Sequence, residues 1–230
     1  MDTLFDTNST YRSASEINTS MANVYKHMSL AVLTSMIVSY FVGTTPELLM
    51  FFFTGVMKWI VIFAPLVAVM VITVAINSNP PRETAVLMLH GFAALMGLSF
   101  ATIFVMFTMG SIVSAFMGAA ILFGTMSLYG YFTKRSLESL GQFMFIGLIA
   151  ICIASIVNIF IGSTIMQMII SALAIIIFLG LTAYDTQQIR EMLMIQDDNL
   201  ATQEVVGALT LYLDFVNIFL SLLNLFGDRK

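Results

Sequence analysis

Residues 204–226 read EVVGALTLYLDFVNIFLSLLNLF, and the reading of this stretch decides the fold. At about 1.5 Å of rise per residue it is long enough to cross a bilayer as a helix. Gly207, Thr210, Asp214, Asn217, Ser221 and Asn224 step along it by 3, 4, 3, 4 and 3, which holds them on one helical face. Most of the rest is Leu, Phe, Val and Ile. A polar seam of this length is costly to point at lipid. The spacing therefore predicts a last helix packed inside a bundle, its seam turned toward a cavity or other polar groups.

The rest of the chain agrees. Of 230 residues, 59% are hydrophobic and 10% charged, against about 25% charged in an ordinary soluble domain. That apolar stock fills about seven spans of about 20 residues each. Seven stretches are visible, at 27–44, 57–77, 84–108, 112–132, 142–162, 165–188 and 204–226. They are too long, and alternate too little, for the strands of a membrane barrel. The fold class is an all-α membrane protein with seven transmembrane helices, which excludes a soluble enzyme and a secreted disulfide scaffold. A net charge of −4 with nine Lys and Arg leaves no basic patch for nucleic acid. The single Cys152, in an apolar run, reads as a small buried hydrophobe.

Residues 1–25 are rich in Ser, Thr and Asn and lack the apolar core of a signal peptide, so they read as a mobile, solvated arm ahead of one domain, 26–230. The segment 46–55 is too short to span and is expected to lie at the interface or dip back. With the N-terminus inside, Arg12, Lys26, Arg82, Lys134, Arg135 and Arg190 fall on the cytoplasmic side, and Lys58, Arg229 and Lys230 on the other. Six against three favours a cytoplasmic N-terminus. Seven full spans then put the C-terminus outside, unless the last helix is re-entrant.

Small residues mark helix-to-helix faces in lipid. Ala150, Ala154, Asn158 and Gly162 recur in the fifth span, His90, Ala93, Gly97 and Ala101 in the third, and Ser114 and Gly118 in the fourth. Pro65 removes a helical hydrogen bond in the second span and is expected to bend it.

Few groups inside the spans can ionise: His90, Asp185 and Asp214, with Lys58 and Arg190 near ends. Such residues by default mark an ion or proton path. Asp214 lies about 15 Å into its helix, and Asp185, five residues before Arg190, about 7 Å from the cytoplasmic interface. On adjacent antiparallel helices they are able to meet. Two carboxylates in a low dielectric cannot both ionise cheaply, so such a pair shares a proton or recruits a cation. Oxygen ligands suit calcium rather than zinc, which makes Asp185 and Asp214 the candidate calcium ligands. The bland alternatives are a structural hydrogen bond for Asp214 and a snorkelling helix-end acid for Asp185. His90 reads as a hydrogen-bonded packing residue, and with Thr210, Asn217 and Ser221 as support for a pathway. No phosphate-loop or serine-hydrolase motif is present.

Several stretches carry a resemblance: 133–141 (TKRSLESLG), 143–149 (FMFIGLI), 182–189 (TAYDTQQI) and 208–217 (ALTLYLDFVN). Together they resemble the Bax inhibitor-1 family of transmembrane proteins, in a bacterial inner-membrane form, over about residues 22–230. The resemblance implies seven helices with the last enclosed by the other six, and a pH-dependent calcium leak gated by a pair of aspartates. Asp185 and Asp214 match that pair. Arg82 is the best match to an arginine near the third helix that latches onto it.

The leading expectation is thus a pH-sensitive calcium leak in the bacterial inner membrane, moving protons and calcium, with no cofactor and no enzymatic activity. A second expectation is a regulator that binds a membrane quality-control protease, with the arm 1–25 as the contact. A third is an intramembrane aspartyl protease, disfavoured because residues 211–214 read LYLD instead of Gly-x-Gly-Asp and no proline follows Pro81.

Overall fold

Lipid offers no partner for backbone N–H and C=O groups, so long apolar stretches close their hydrogen bonds within helices. The computed structural model describes residues 11–76, 78, 80–196 and 199–230. Nine helices occur among them: α1 (Ala14–Thr44), α2 (Pro46–Phe53), α3 (Met57–Ile76), α4 (Arg82–Phe100), α5 (Ile103–Met106), α6 (Met109–Phe132), α7 (Glu138–Ile161), α8 (Thr164–Met194) and α9 (Leu200–Phe226). Seven segments are long and apolar enough to cross a membrane, with α4 and α5 together making one of them. The short α2 buries no side chain.

Packing puts α9 at the centre. It lies against α1, α4, α6 and α8, while α3 rests on α2 and α4 and α7 on α8. In its most apolar stretch 56% of residues are buried, against 6% in α7. Four of the six other spans therefore surround the last helix directly, and α3 and α7 form an outer layer. The helix runs unbroken from the Glu204 end to the Asp228 end, where Thr108 N–H donates to the Asp228 carbonyl at 3.1 Å and Phe107 bridges Arg229.

Two close approaches fix the bundle. A Cβ on Gly97 would lie 2.5 Å from the Ser35 carbonyl oxygen, so α4 meets α1 backbone to backbone, with Ala93 and Ala101 beside it fully buried. Gly130 of α6 presses in the same way on the Ala183 carbonyl of α8.

Pro65 sits inside α3 and has no N–H for the carbonyl of Val61 four residues back. Ser99 of α4 supplies the missing donor, its hydroxyl 2.7 Å from that carbonyl. Ser99→Ala should lower thermal stability in detergent by about 1–3 kcal/mol. In a Pro65→Ala background, where residue 65 regains its own N–H, the same change should cost almost nothing. Equal losses in both backgrounds of the double-mutant cycle would refute the link.

Three sequence expectations are corrected. The polar arm ends early: its residues 1–10 lie outside the described residues, but Ala14 already begins α1. Ser13 and Glu16 cap each other there, the Ser13 N–H donating to Glu16 at 2.8 Å, and Ile17, Met21 and Val24 are buried. Arg12 is tied down too, its main-chain N–H and its guanidinium donating to the carbonyls of Met194 and Leu193, each at 2.9 Å. The expected seam of α7 is displaced. Ala150 is exposed, and α7 instead packs through Gly141, Met144, Gly147 and Ile151, while Gly162 ends the helix at φ +67°. Cys152 is exposed rather than buried. In a bilayer the solvent is itself apolar, so an apolar neighbourhood in sequence says nothing about which way a side chain faces.

Candidate functional site

Helices α8 and α9 run antiparallel in close contact, because Gly207 lets Ile189 lie against its backbone; a Cβ there would meet Ile189 at 2.9 Å. Three residues further along α9 than Leu211, Asp214 comes level with Thr182 and Asp185 of α8. The Asp185 and Asp214 side chains lie near enough to interact electrostatically, and Thr182 is also near Asp214. Asp214 is 4% exposed. Its Oδ2 accepts no hydrogen bond, since the Thr182 hydroxyl donates to the Phe178 carbonyl of its own helix at 2.7 Å.

A chain of hydroxyls leads toward the pair. Tyr25 of α1 bonds Ser127 of α6 at 2.6 Å, Ser127 bonds Thr186 of α8 at 3.0 Å, and Thr186 donates to the Thr182 carbonyl at 2.7 Å. The close packing at Gly130 is what brings Ser127 within reach. The stretches 133–141 and 182–189 are joined physically. Gln187 accepts from the Leu137 N–H at 2.8 Å and donates to the Arg135 carbonyl at 2.9 Å, and Tyr184 lies on Gly141.

Other expected residues go elsewhere. Arg82 does not reach the aspartates; it ends on Glu204, at 3.5 Å. Glu204 is ten residues from Asp214 along α9, or about 15 Å of helix. The reason is depth: Arg82 opens α4 at the membrane edge, where a guanidinium is half exposed, and the aspartates lie further in. Glu204 is 3% exposed and also accepts from Asn23 at 3.0 Å. A cavity of about 520 Å³ lies beside it, lined by Glu16, Thr19, Asn23 and Arg82. Glu204 was not singled out from sequence, yet the three-and-four stepping carried back one place from Gly207 lands on it.

His90 bonds Thr34 of α1 at 3.0 Å, away from the pair. Thr210 and Asn217 are half buried and satisfy themselves on their own helix, donating to the carbonyls of Val206 and Leu213 at 3.1 and 2.8 Å. Ser221 is buried, and Asn224 is exposed where the helix emerges. The seam thus faces inward at Gly207, Asp214 and Ser221, half inward at Thr210 and Asn217, and outward at Asn224. Among the described residues, no group of three or more His, Cys, Asp or Glu side chains converges as for a metal ion.

The profile of the family described as inhibitor of apoptosis-promoting Bax1 matches residues 17–230. The chain is 38% identical over 219 residues to an inner membrane protein, YbhL, of Escherichia coli K12, covering 93% of each. It is 37% identical over 217 residues to a protein of Borreliella burgdorferi, covering 93% of each. A protein of Rickettsia prowazekii is 36% identical over 213 residues, with 91% of this chain and 89% of the relative covered.

Proposed function

Because this chain belongs to the Bax inhibitor-1 family of membrane proteins, we propose that it is a calcium leak pathway of the bacterial inner membrane whose rate follows pH through Asp185 and Asp214. The observation that carries this reading is the nearness of those two carboxyls on α8 and α9, with Asp214 buried and one of its oxygens left unbonded. Two carboxyls that share a proton change their joint charge as that proton comes and goes. A cation crossing the bundle meets a partner in one state and not in the other.

Calcium prefers six to eight oxygens. Two carboxyls provide fewer, so the pair passes the ion along rather than storing it, and the protein performs no chemical conversion. Arg82 acts at Glu204 in this reading. It neutralises a buried carboxylate at the mouth of the path, about 15 Å from the aspartates. The excess of Lys and Arg at the Glu204 end supports a cytoplasmic N-terminus. A role as partner of a membrane protease would rest on the segment before Ser13.

The test is calcium uptake by liposomes containing the purified protein and an internal calcium dye. Uptake should exceed that of empty liposomes and change several-fold between acidic and alkaline buffer. Uptake no greater than in empty liposomes at every pH would refute the proposal.

A further inference from the structure

Between α6 and the end of α9, on the face opposite Glu204, lies a second polar cavity of about 320 Å³. Thr108, Ser111, Ser114 and Asp228 line it, and Gly118 and Leu222 form its inner end, a Cβ on Gly118 falling 3.5 Å from the Leu222 side chain. From Leu222 to Asp214 is eight residues, about 12 Å along α9. That interval on the α6–α9 interface is aromatic. Phe116 packs edge to face on Phe215 and Phe219, with ring centroids 5.4 and 6.2 Å apart, and Phe123 packs on Phe215 at 5.8 Å. Phe215 is buried, and Ile218 beside it is fully so.

A polar cavity open to one membrane face, an unbonded carboxylate oxygen deeper in, and four rings between them have the layout of an apolar constriction, which blocks ions by excluding water. We propose that this cavity is the vestibule of the pathway on the Asp228 face, and that Phe116, Phe123, Phe215 and Phe219 are the gate sealing it from the aspartates. The inference rests on the reading of Asp185 and Asp214 as the control point of a leak. It adds where the path leaves the bundle and what closes it. Opening requires α6 and α9 to part by about the width of a ring, and nothing polar need move at the aspartates themselves.

Thiol labelling tests the gate without measuring calcium. In a Cys152→Ser background, single cysteines are placed in the vestibule (Ser114→Cys) and beside Asp214 (Thr182→Cys). A membrane-impermeant methanethiosulfonate is applied from the Asp228 face. The thiol at position 114 should react readily and that at position 182 should not. Adding Phe215→Ala or Phe219→Ala should speed labelling at position 182 by an order of magnitude or more, with position 114 unchanged. Phe219→Leu, which keeps an apolar side chain, should give a smaller gain and replaces the alanine variants if they do not elute as a single species.

Labelling at position 182 that is equally fast with all four rings intact overturns the gate. So does continued protection in variants whose vestibule thiol still reacts, which would make the cluster ordinary core packing. Calcium uptake in the same variants separates the two ideas. Faster labelling without faster calcium uptake keeps the gate and rejects the calcium leak.

Discussion

Asp214→Asn should make calcium uptake run at the same rate in acidic and alkaline buffer, so that the ratio between the two, several-fold in the unaltered protein, falls close to one. The substitution keeps the size of the side chain in a position that is 4% exposed, so packing is preserved. What changes is the proton account. An asparagine amide donates to Asp185 without needing a shared proton, because it carries two N–H donors of its own. A hydrogen bond to a charged group is worth about 1.5–3 kcal/mol. The coupled pair is replaced by one carboxyl held by a neutral donor, and the step in joint charge disappears. Asp185→Asn should have the same effect from the other side, and the double variant should be no flatter than either single one, since both remove the same coupling. Glu204→Gln is the contrast. It unlinks Arg82 at the mouth and should change the rate while leaving its pH ratio intact. A wild-type ratio in either aspartate variant would remove the pair from the mechanism.

The spans were legible in the sequence because lipid allows little else for apolar runs of this length. The burial of α9 was legible because Gly207, Asp214 and Ser221 cannot all face hydrocarbon cheaply. Depth on antiparallel neighbours permitted Asp185 and Asp214 to approach each other, and their role as a pair is a proposal. Other features depend on information that helical periodicity does not hold. The partner of Arg82 is set by how far α4 projects at the membrane edge, and Glu204 is on another helix, 122 residues away. Thr210 and Asn217 were read as inward-facing, yet a side chain that bonds its own helical carbonyl satisfies itself at a half-buried position. The start of α1 was readable in principle: Ser13 and Glu16 have the spacing of a capping box. It was outweighed by the polarity of residues 14–25, whose apolar Ile17, Met21 and Val24 are buried against the bundle. Cys152 and Ala150 show the remaining gap, since small and apolar residues on an outer helix are as much at home against lipid as against protein.

Two glycines of α6, six residues apart, should respond to alanine with opposite signs. Around Gly124 nothing lies within 4 Å of the place a Cβ would take. Gly124→Ala should therefore stabilise by about 0.5–1 kcal/mol, the helix-interior difference between the two residues. At Gly130 the new Cβ would fall on the Ala183 carbonyl oxygen, with the Ala183 carbonyl carbon at 2.8 Å and Cα at 2.9 Å. All three are backbone atoms, and no rotamer change moves them away. Helices α6 and α8 must separate, and the Ser127 to Thr186 hydrogen bond of 3.0 Å, within a turn of the collision, is strained with them. Overpacking costs about 1–3 kcal/mol or more, and a lost buried hydrogen bond about 1 kcal/mol. For a chain of this size the melting midpoint of Gly130→Ala in detergent should drop by about 5–15 °C, while that of Gly124→Ala rises slightly. Gly141→Ala is the intermediate case: its Cβ would meet the ring of Tyr184 at 2.5 Å, and a ring, unlike a carbonyl, can turn aside. The expected order of stability is thus Gly124→Ala, then Gly141→Ala, then Gly130→Ala. A Gly130→Ala protein as stable as Gly124→Ala would mean that α6 and α8 do not touch backbone to backbone, and the Ser127 to Thr186 link would lose its support.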